Sequence, residues 1–216
     1  MTTILCFGDS NTWGCPPFTN LALPPGRMPK EQRWTRIMAG EAGRGIDVVE
    51  DGLSGRTTVF DDPIEGEYKN GARLIVASIE THAPLDLLVI MLGTNDFKVQ
   101  FNASAFTSAR GVLTLIQHVK GYYALAERSP EILIVAPPAI TQKAEPEFWG
   151  DAWRRFEGHA GYLSQVAERT GCFFFDCNSV AGVSADGVHL DAPGHLALGR
   201  ALGREARQIL ALNNPA

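Results

Sequence analysis

A serine hydroxyl attacks a carbonyl only when a neighbouring base takes its proton, so nucleophilic chemistry needs a Ser, a His and an acid that can meet. Ser10 lies just past the apolar run Ile4-Leu5-Cys6-Phe7, within Gly8-Asp9-Ser10. A helix or loop starting there can present its Oγ and lend it partial positive charge. Far along the chain, Asp186-Gly187-Val188-His189 puts an aspartate three residues before a histidine in a glycine-bearing stretch. A turn of that length can lay the carboxylate on one imidazole nitrogen while the other faces out. The carboxylate would then fix the tautomer and stabilise the imidazolium formed when the ring accepts the serine proton. Each piece has an ordinary alternative. Ser10 could cap a helix, and Asp-x-x-His could be a solvated carboxylate beside a surface imidazole. A metal centre is a poorer reading, because no companion ligands recur at useful spacings. His82, His118, His159 and His195 have no acidic residue three positions before them and read as packing residues.

Acyl transfer also needs donors aimed at the oxygen that gains charge. Asn95, in Gly93-Thr94-Asn95-Asp96, offers a side-chain amide. Gly55 can bring a backbone N–H close because no Cβ intervenes, and the Ser10 N–H is a third candidate. In isolation Asn95 is better read as an Asx-turn and Gly55 as a turn glycine. Asp9 and Asp96 are expected to brace their loops by accepting backbone N–H bonds. Trp13 and Ser54 are candidates for shaping an acyl pocket, although Trp13 reads equally as a buried anchor.

The elements that must position these residues are visible as β-rich runs alternating with longer amphipathic stretches. The strand candidates Thr3–Phe7, Ile46–Glu50, Leu85–Leu92, Ile132–Ala136 and Cys172–Asp176 are mostly near-continuous in apolar residues, as strands covered on both faces are. Helical patterns cover Arg33–Ala42, Gly71–His82, Ala103–Glu127, Pro146–Thr170 and Ala192–Leu212. Crossovers of this length predict an α/β fold, a three-layer α/β/α sandwich on a parallel sheet of about five strands, doubly wound in the flavodoxin-like manner. In such a sheet ligands bind beyond the carboxyl ends of the strands. The Ser10, Gly55 and Asn95 segments follow the first three strands, and the Asp186–His189 loop comes after the fifth. All four are expected to converge on one edge, and that convergence says more than any single motif. Two segments look like surface insertions: Cys15–Lys30, with Pro16, Pro17, Pro24, Pro25 and Pro29, and Pro137–Arg155, with Phe148, Trp149 and Trp153. The aromatics of the second either pin their own loop, wall the active site or build a subunit interface.

Composition narrows the class further. With 45% apolar and 20% charged residues the chain is ordinarily globular, and its length suits a single domain over residues 1–216. A net charge of −5, with the signs interspersed, leaves no footprint for nucleic acid. No apolar run approaches the roughly 18 residues of a membrane span. The start MTTILCFGDS has no basic, apolar leader, and Cys6, Cys15, Cys172 and Cys177 form no C-x-x-C pair. Reduced thiols in a cytoplasmic protein are therefore expected.

Together, Gly8-Asp9-Ser10, Gly55, Gly93-Thr94-Asn95-Asp96 and Asp186-x-x-His189 fall in the order of the four blocks of the SGNH (GDSL-type) hydrolases, which this chain resembles. The Ser, Gly, Asn and His of that name map onto Ser10, Gly55, Asn95 and His189. The fourth letter of GDSL is Asn11 here rather than leucine. Nearly the whole chain is similar to one branch, the bacterial arylesterase/acyltransferases and carbohydrate acetylesterases. The similarity rests on Cys6 to Gly14, Arg33-Trp34-Thr35, Gly52 to Thr58, Asp61-Asp62-Pro63 and Met91 to Asp96. Some members of that branch have alanine where this chain has Gly55, and a backbone donor works with either. The resemblance implies hydrolysis of short acyl esters, such as aryl esters or acetylated carbohydrates, through an acyl-enzyme, with no metal and no cofactor. Transfer of the acyl group to an alcohol or to peroxide is implied as well. So is a homo-oligomer whose aromatic loops narrow the entrance, with the contacts expected at the two insertions.

Two rival readings are weaker. An α/β-hydrolase presents its serine in a G-x-S-x-G elbow, whereas Ser10 lacks the second glycine and comes too early. A non-catalytic flavodoxin-like binding module could cradle phosphate in the Gly8 to Gly14 loop. Phosphate loops carry more glycine and often a lysine, while Asp9 would repel the ligand. Binding alone also gives Asp186 and His189 no reason to sit where they do.

Overall fold

Successive side chains of a strand point to opposite faces, so a strand that is apolar at every position must be covered on both. The computed structural model, which describes residues 2–18 and 26–213 and side chains as far as 211, shows that arrangement. The strands are β1 (Thr2–Gly8), β2 (Ile46–Gly52), β3 (Leu87–Met91), β4 (Glu131–Ala136) and β5 (Phe173–Asp176). They form one parallel sheet in the order β2-β1-β3-β4-β5. Leu5, Phe7, Leu88 and Ile90 face one layer, and Ile4, Cys6, Leu87 and Val89 face the other. The main helices are α2 (Trp34–Ala42), α3 (Gly71–Thr81), α4 (Ala105–Tyr122), α7 (His159–Thr170) and α8 (Ala192–Asn213), with shorter helices α1 (Ser10–Trp13), α5 (Pro146–Trp149) and α6 (Ala152–Arg155). Helices α3, α4 and α7 cover the first face with Ile75, Ile79, Val112, Leu115 and Leu163. Helices α2 and α8 cover the second with Trp34, Met38, Leu198 and Leu202. Each such aliphatic side chain contributes about 1.5–3 kcal/mol by leaving water. The α/β/α sandwich expected from the pattern is the fold observed.

Two expectations need correction. The helical pattern over Pro146–Thr170 is cut into α5, α6 and α7, with Gly150 at φ 54° and Gly158 at φ 80° between the pieces. Those left-handed conformations suit glycine and end a right-handed helix. The insertion over Pro137–Arg155 is accordingly no bare loop. It carries α5 and α6 and packs Ile140, Trp149 and Ala152 with Phe97, Phe156 and Val188 into a small cluster beside the sheet. Pro24 and Pro25 of the other insertion lie outside the described residues. Among the described residues no helix is long and apolar enough to cross a membrane.

Strand order and register decide where the site forms. β1 lies between β2 and β3, and Gly8 is level with both Gly52 and Met91. Segments leaving these three strands therefore start at one height, at the switch point where such sheets bind ligands. Helix α1 then crosses the end of β2. A Cβ on Gly52 would lie 2.2 Å from the Trp13 nitrogen, so a side chain there would push α1 off the sheet.

Candidate active site

Asp9 caps α1 by accepting the Asn11 N–H at 3.0 Å, which sets Ser10 as the first residue of the helix at the strand end. His189 Nε2 lies 2.9 Å from Ser10 Oγ, and His189 Nδ1 lies 2.7 Å from Asp186 Oδ2. The other carboxylate oxygen accepts the Val188 N–H at 3.0 Å and the His189 N–H at 2.9 Å. Phe18 N–H adds a bond to Oδ2 at 3.1 Å. An ionised carboxylate only accepts, so Nδ1 carries a proton, and in the neutral ring Nε2 accepts from the serine hydroxyl. Burial works against charge on Asp186, but the bonds from His189 and the backbone outweigh it and hold the carboxyl below its usual value. Burial likewise opposes the charged imidazole. The bond to Asp186 and the contact with Cys15 outweigh that and raise His189 from 6.5 to about 9.

The His189 loop has to be brought across the sheet, since β3 and β4 separate β5 from β1. Asn11, fully buried, does this beside the nucleophile. Its Nδ2 donates to the Val188 carbonyl at 3.2 Å, and its Oδ1 accepts the Leu190 N–H at 2.9 Å. One side chain thus grips the backbone on both sides of His189. Trp34 Nε1 donates to the Asn11 carbonyl at 3.1 Å, and the Trp34 N–H donates to His195 Nδ1 at 3.2 Å. His195 is therefore a packing residue, as expected, with burial taking its pKa down to about 4. His159 is another, enclosed by Phe97 and Phe156. Sequence reasoning did not single out Asn11 for this role. Its signal was the amide standing where the motif has leucine.

The three donor residues line one cleft. Asn95, in the turn Thr94–Phe97, donates one amide hydrogen to the Arg56 carbonyl at 3.1 Å, which fixes the amide, and the residue lines the cleft. Gly55 adopts φ 80°, and among the described residues neither its N–H nor that of Ser10 has a hydrogen-bond acceptor. A Cβ on Gly55 would lie 2.3 Å from Glu65 Oε2. Alanine would thus displace Glu65 in this chain, whatever other sequences tolerate. Asp96 braces the Asn95 turn, accepting the Thr58 N–H at 2.9 Å and the hydroxyls of Thr58 and Ser108 at 2.7 Å each. Burial raises both Asp9 and Asp96 to about 6.

These groups open into a cleft of about 430 Å³. Ser54 lines it, and Phe148 and Trp149 of the second insertion form part of its wall. Trp153 instead packs against the small cluster. Trp13 is not a lining residue, which corrects the expectation for it. Its carbonyl accepts from Arg27 Nε at 2.7 Å, and the Arg27 guanidinium lies 5.0 Å from its ring centroid. The chain turns at Gly14, φ 90°, and the wall expected of Trp13 is made by Cys15 and Phe18, the latter 5.4 Å from the His189 ring. The arrangement can deprotonate a hydroxyl, aim it at a carbonyl and hold the oxygen that becomes charged.

Known proteins resemble the chain over most of its length. The sequence profile of the GDSL-like lipase/acylhydrolase family matches residues 6–197, a span containing Ser10, Gly55, Asn95, Asp186 and His189. The structure of Est24, a carbohydrate acetylesterase from Sinorhizobium meliloti, is 33% identical with a TM-score of 0.90, over 96% of this chain and 99% of that one. The native aryl esterase of M. smegmatis is also 33% identical, with a TM-score of 0.91 over 97% of this chain and all (100%) of that one. A second carbohydrate acetylesterase family member from Sinorhizobium meliloti is 37% identical, with a TM-score of 0.89 over 98% and 100%. No curated protein matches the chain.

Proposed function

The chain belongs to the GDSL-like lipase/acylhydrolase family and is a serine esterase, and from that premise we propose that Ser10 is the nucleophile, His189 the general base and acid, and Asp186 the residue that orients it. His189 Nε2 takes the hydroxyl proton as Ser10 Oγ attacks the acyl carbonyl. The oxygen that gains charge is held by the N–H groups of Ser10 and Gly55 and by the Asn95 amide. The imidazolium, stabilised by Asp186, gives its proton to the leaving alkoxide. Water then enters, loses a proton to His189 and attacks the acyl-enzyme; the acid leaves as the imidazolium returns that proton to Ser10 Oγ. The observation that carries this reading is the unbroken relay from Asp186 through His189 to Ser10, at 2.7 and 2.9 Å.

The proposed substrates are short acyl esters, acetyl esters of phenols or carbohydrates foremost, and residues 1–216 act as one domain. The names of the related structures support this choice, as do Cys15, Phe18 and Trp149, which line the cleft with the serine. A homo-oligomer is part of the proposal. Ile64, Tyr68 and Val99, each next in sequence to a residue lining the cleft, are 76%, 57% and 46% exposed, as side chains awaiting a second copy would be. Cytoplasmic residence is supported by four free cysteines and is checked by cell fractionation. The test of the mechanism is intact-mass spectrometry after treatment with a fluorophosphonate, on wild type, Ser10→Ala and His189→Ala. One adduct in the wild type and none in either variant is expected. No adduct on the folded wild type would sink the mechanism and favour the binding module. The same measurement under native conditions reads the subunit number, and a monomer there removes the oligomer from the proposal.

A further inference from the structure

Beside the oxyanion hole, in the wall of the same cleft, stands a cation that the mechanism above does not use. Lys69 ends the turn Glu67–Lys69, is only 9% exposed, and donates from Nζ to the Ser54 carbonyl at 2.6 Å. That carbonyl and the Gly55 N–H are the two ends of one peptide unit. The ammonium therefore sits on one end of an amide whose other end faces the reacting carbonyl. We propose that Lys69 is a positioning residue of this esterase: it holds the plane of the Ser54–Gly55 peptide and polarises it, which makes Gly55 N–H a stronger and better-aimed oxyanion donor. The inference rests on the esterase reading and deepens it.

First, the planar peptide owes its form to electron density shared between nitrogen and the carbonyl oxygen. A positive charge at the oxygen draws more density that way and leaves the N–H more positive. Charge-assisted hydrogen bonds are roughly twice as strong as neutral ones, and linked hydrogen bonds polarise one another. Second, the peptide needs holding. Gly55 sits at φ 80°, a conformation open to several peptide orientations, and Lys69 grips the carbonyl that defines one of them. Lys69 is itself anchored, because its own carbonyl accepts the Thr57 N–H at 2.9 Å. Third, carboxylates stand beside the charge. Burial, with Lys98 and Arg56 nearby, holds the Lys69 pKa below its usual value, and Glu65, 3.8 Å away, and Asp62 work against that. The second cation, Lys98, is taken up by Glu65 and lies 3.8 Å from Asp62. Two carboxylates thus balance two ammonium groups, and Lys69 is the member of the four that reaches the Ser54 carbonyl.

A purely structural tie would use the same bond, so the experiment must separate charge from tethering. Lys69→Met removes both, and Lys69→Gln retains a neutral donor. Both are compared with wild type as full-length protein, with active sites counted by fluorophosphonate so that kcat refers to intact sites. Losing an oxyanion donor outright costs on the order of 10²–10³ in kcat, and weakening one should cost about 10-fold. Lys69→Met should therefore lose about 10-fold in kcat toward p-nitrophenyl acetate with KM within about twofold, and Lys69→Gln should fall between. The Gly55 amide nitrogen resonance should move upfield in both variants as the carbonyl loses its cation. Should Lys69→Met fail to fold, Lys69→Gln carries the same two readouts. Unchanged kcat per titrated site, or an unmoved Gly55 resonance, overturns the proposal even if thermal stability drops. Failure of the esterase reading shows separately, as a wild type that takes up no fluorophosphonate.

Discussion

Replacing Asn11 with leucine isolates what holds His189 against Ser10. The two side chains are close in shape, so the substitution opens little cavity. It does remove the acceptor of the Leu190 N–H and the donor to the Val188 carbonyl. Both residues are buried, at 0% and 3% exposure. A buried group left unpaired costs about 1–3 kcal/mol, so two cost about 2–6 kcal/mol, a large share of an ordinary stability of about 5–15 kcal/mol. At about 2–4 °C per kcal/mol for a chain of this size, Tm should fall by about 4–24 °C. The chemistry should suffer too, because a base displaced by about 1 Å can cost on the order of 10²-fold. The assay is thermal unfolding beside ester hydrolysis per fluorophosphonate-reactive site. A variant that keeps Tm within about 1 °C and kcat/KM within about twofold would refute the reasoning. The loop would then be held by other contacts, and the bonds of Asn11 would be incidental.

Asn95→Ala should lower kcat by about 10²–10³ while still folding, since the cost of leaving the Arg56 carbonyl unpaired is about 1–3 kcal/mol; steady-state kinetics with circular dichroism reads both, and full activity removes Asn95 from the site. Because His189 must be neutral to accept a proton and its pKa is raised to about 9, kcat/KM should climb with pH toward about 9. Cys15→Ala removes one of the contacts that raise it, so the acid limb of the pH–rate profile should move to lower pH; an unmoved limb disconnects Cys15 from the base. The same raised value carries a stability effect of definite sign. The charged His189 stabilises the fold fully below pH 6.5, and that contribution is lost as pH rises through about 9, a trend that thermal unfolding across the range should show in wild type and not in His189→Ala.

Different parts of this molecule were readable from the chain for different reasons. β1 and β3 declare themselves because strands covered by helices on both sides are apolar at successive positions, a pattern contained in a few adjacent residues. The triad and oxyanion candidates stood out because each follows a strand, and parallel strands end on the same side. The cut between α5, α6 and α7 was not readable, since Gly150 and Gly158 break a helix only by adopting positive φ. Trp13 was misplaced for a similar reason. Nearness to Ser10 in sequence does not say which way the chain turns at Gly14, nor that Arg27 waits over the ring.

Local pattern therefore suffices for the layers of the fold, the order of the strands along the chain and the kinds of side chain at their ends. Which of those side chains touch was settled only in three dimensions. His189 meets Ser10, and Leu190 meets Asn11, across separations of 179 residues. The Ser54 carbonyl meets Lys69 because the turn Glu67–Lys69 folds back beside the loop after β2. Such contacts have no local signature. They exist because the sheet register levels Gly8 with Gly52 and Met91, and because buried polar groups must find partners wherever packing brings them.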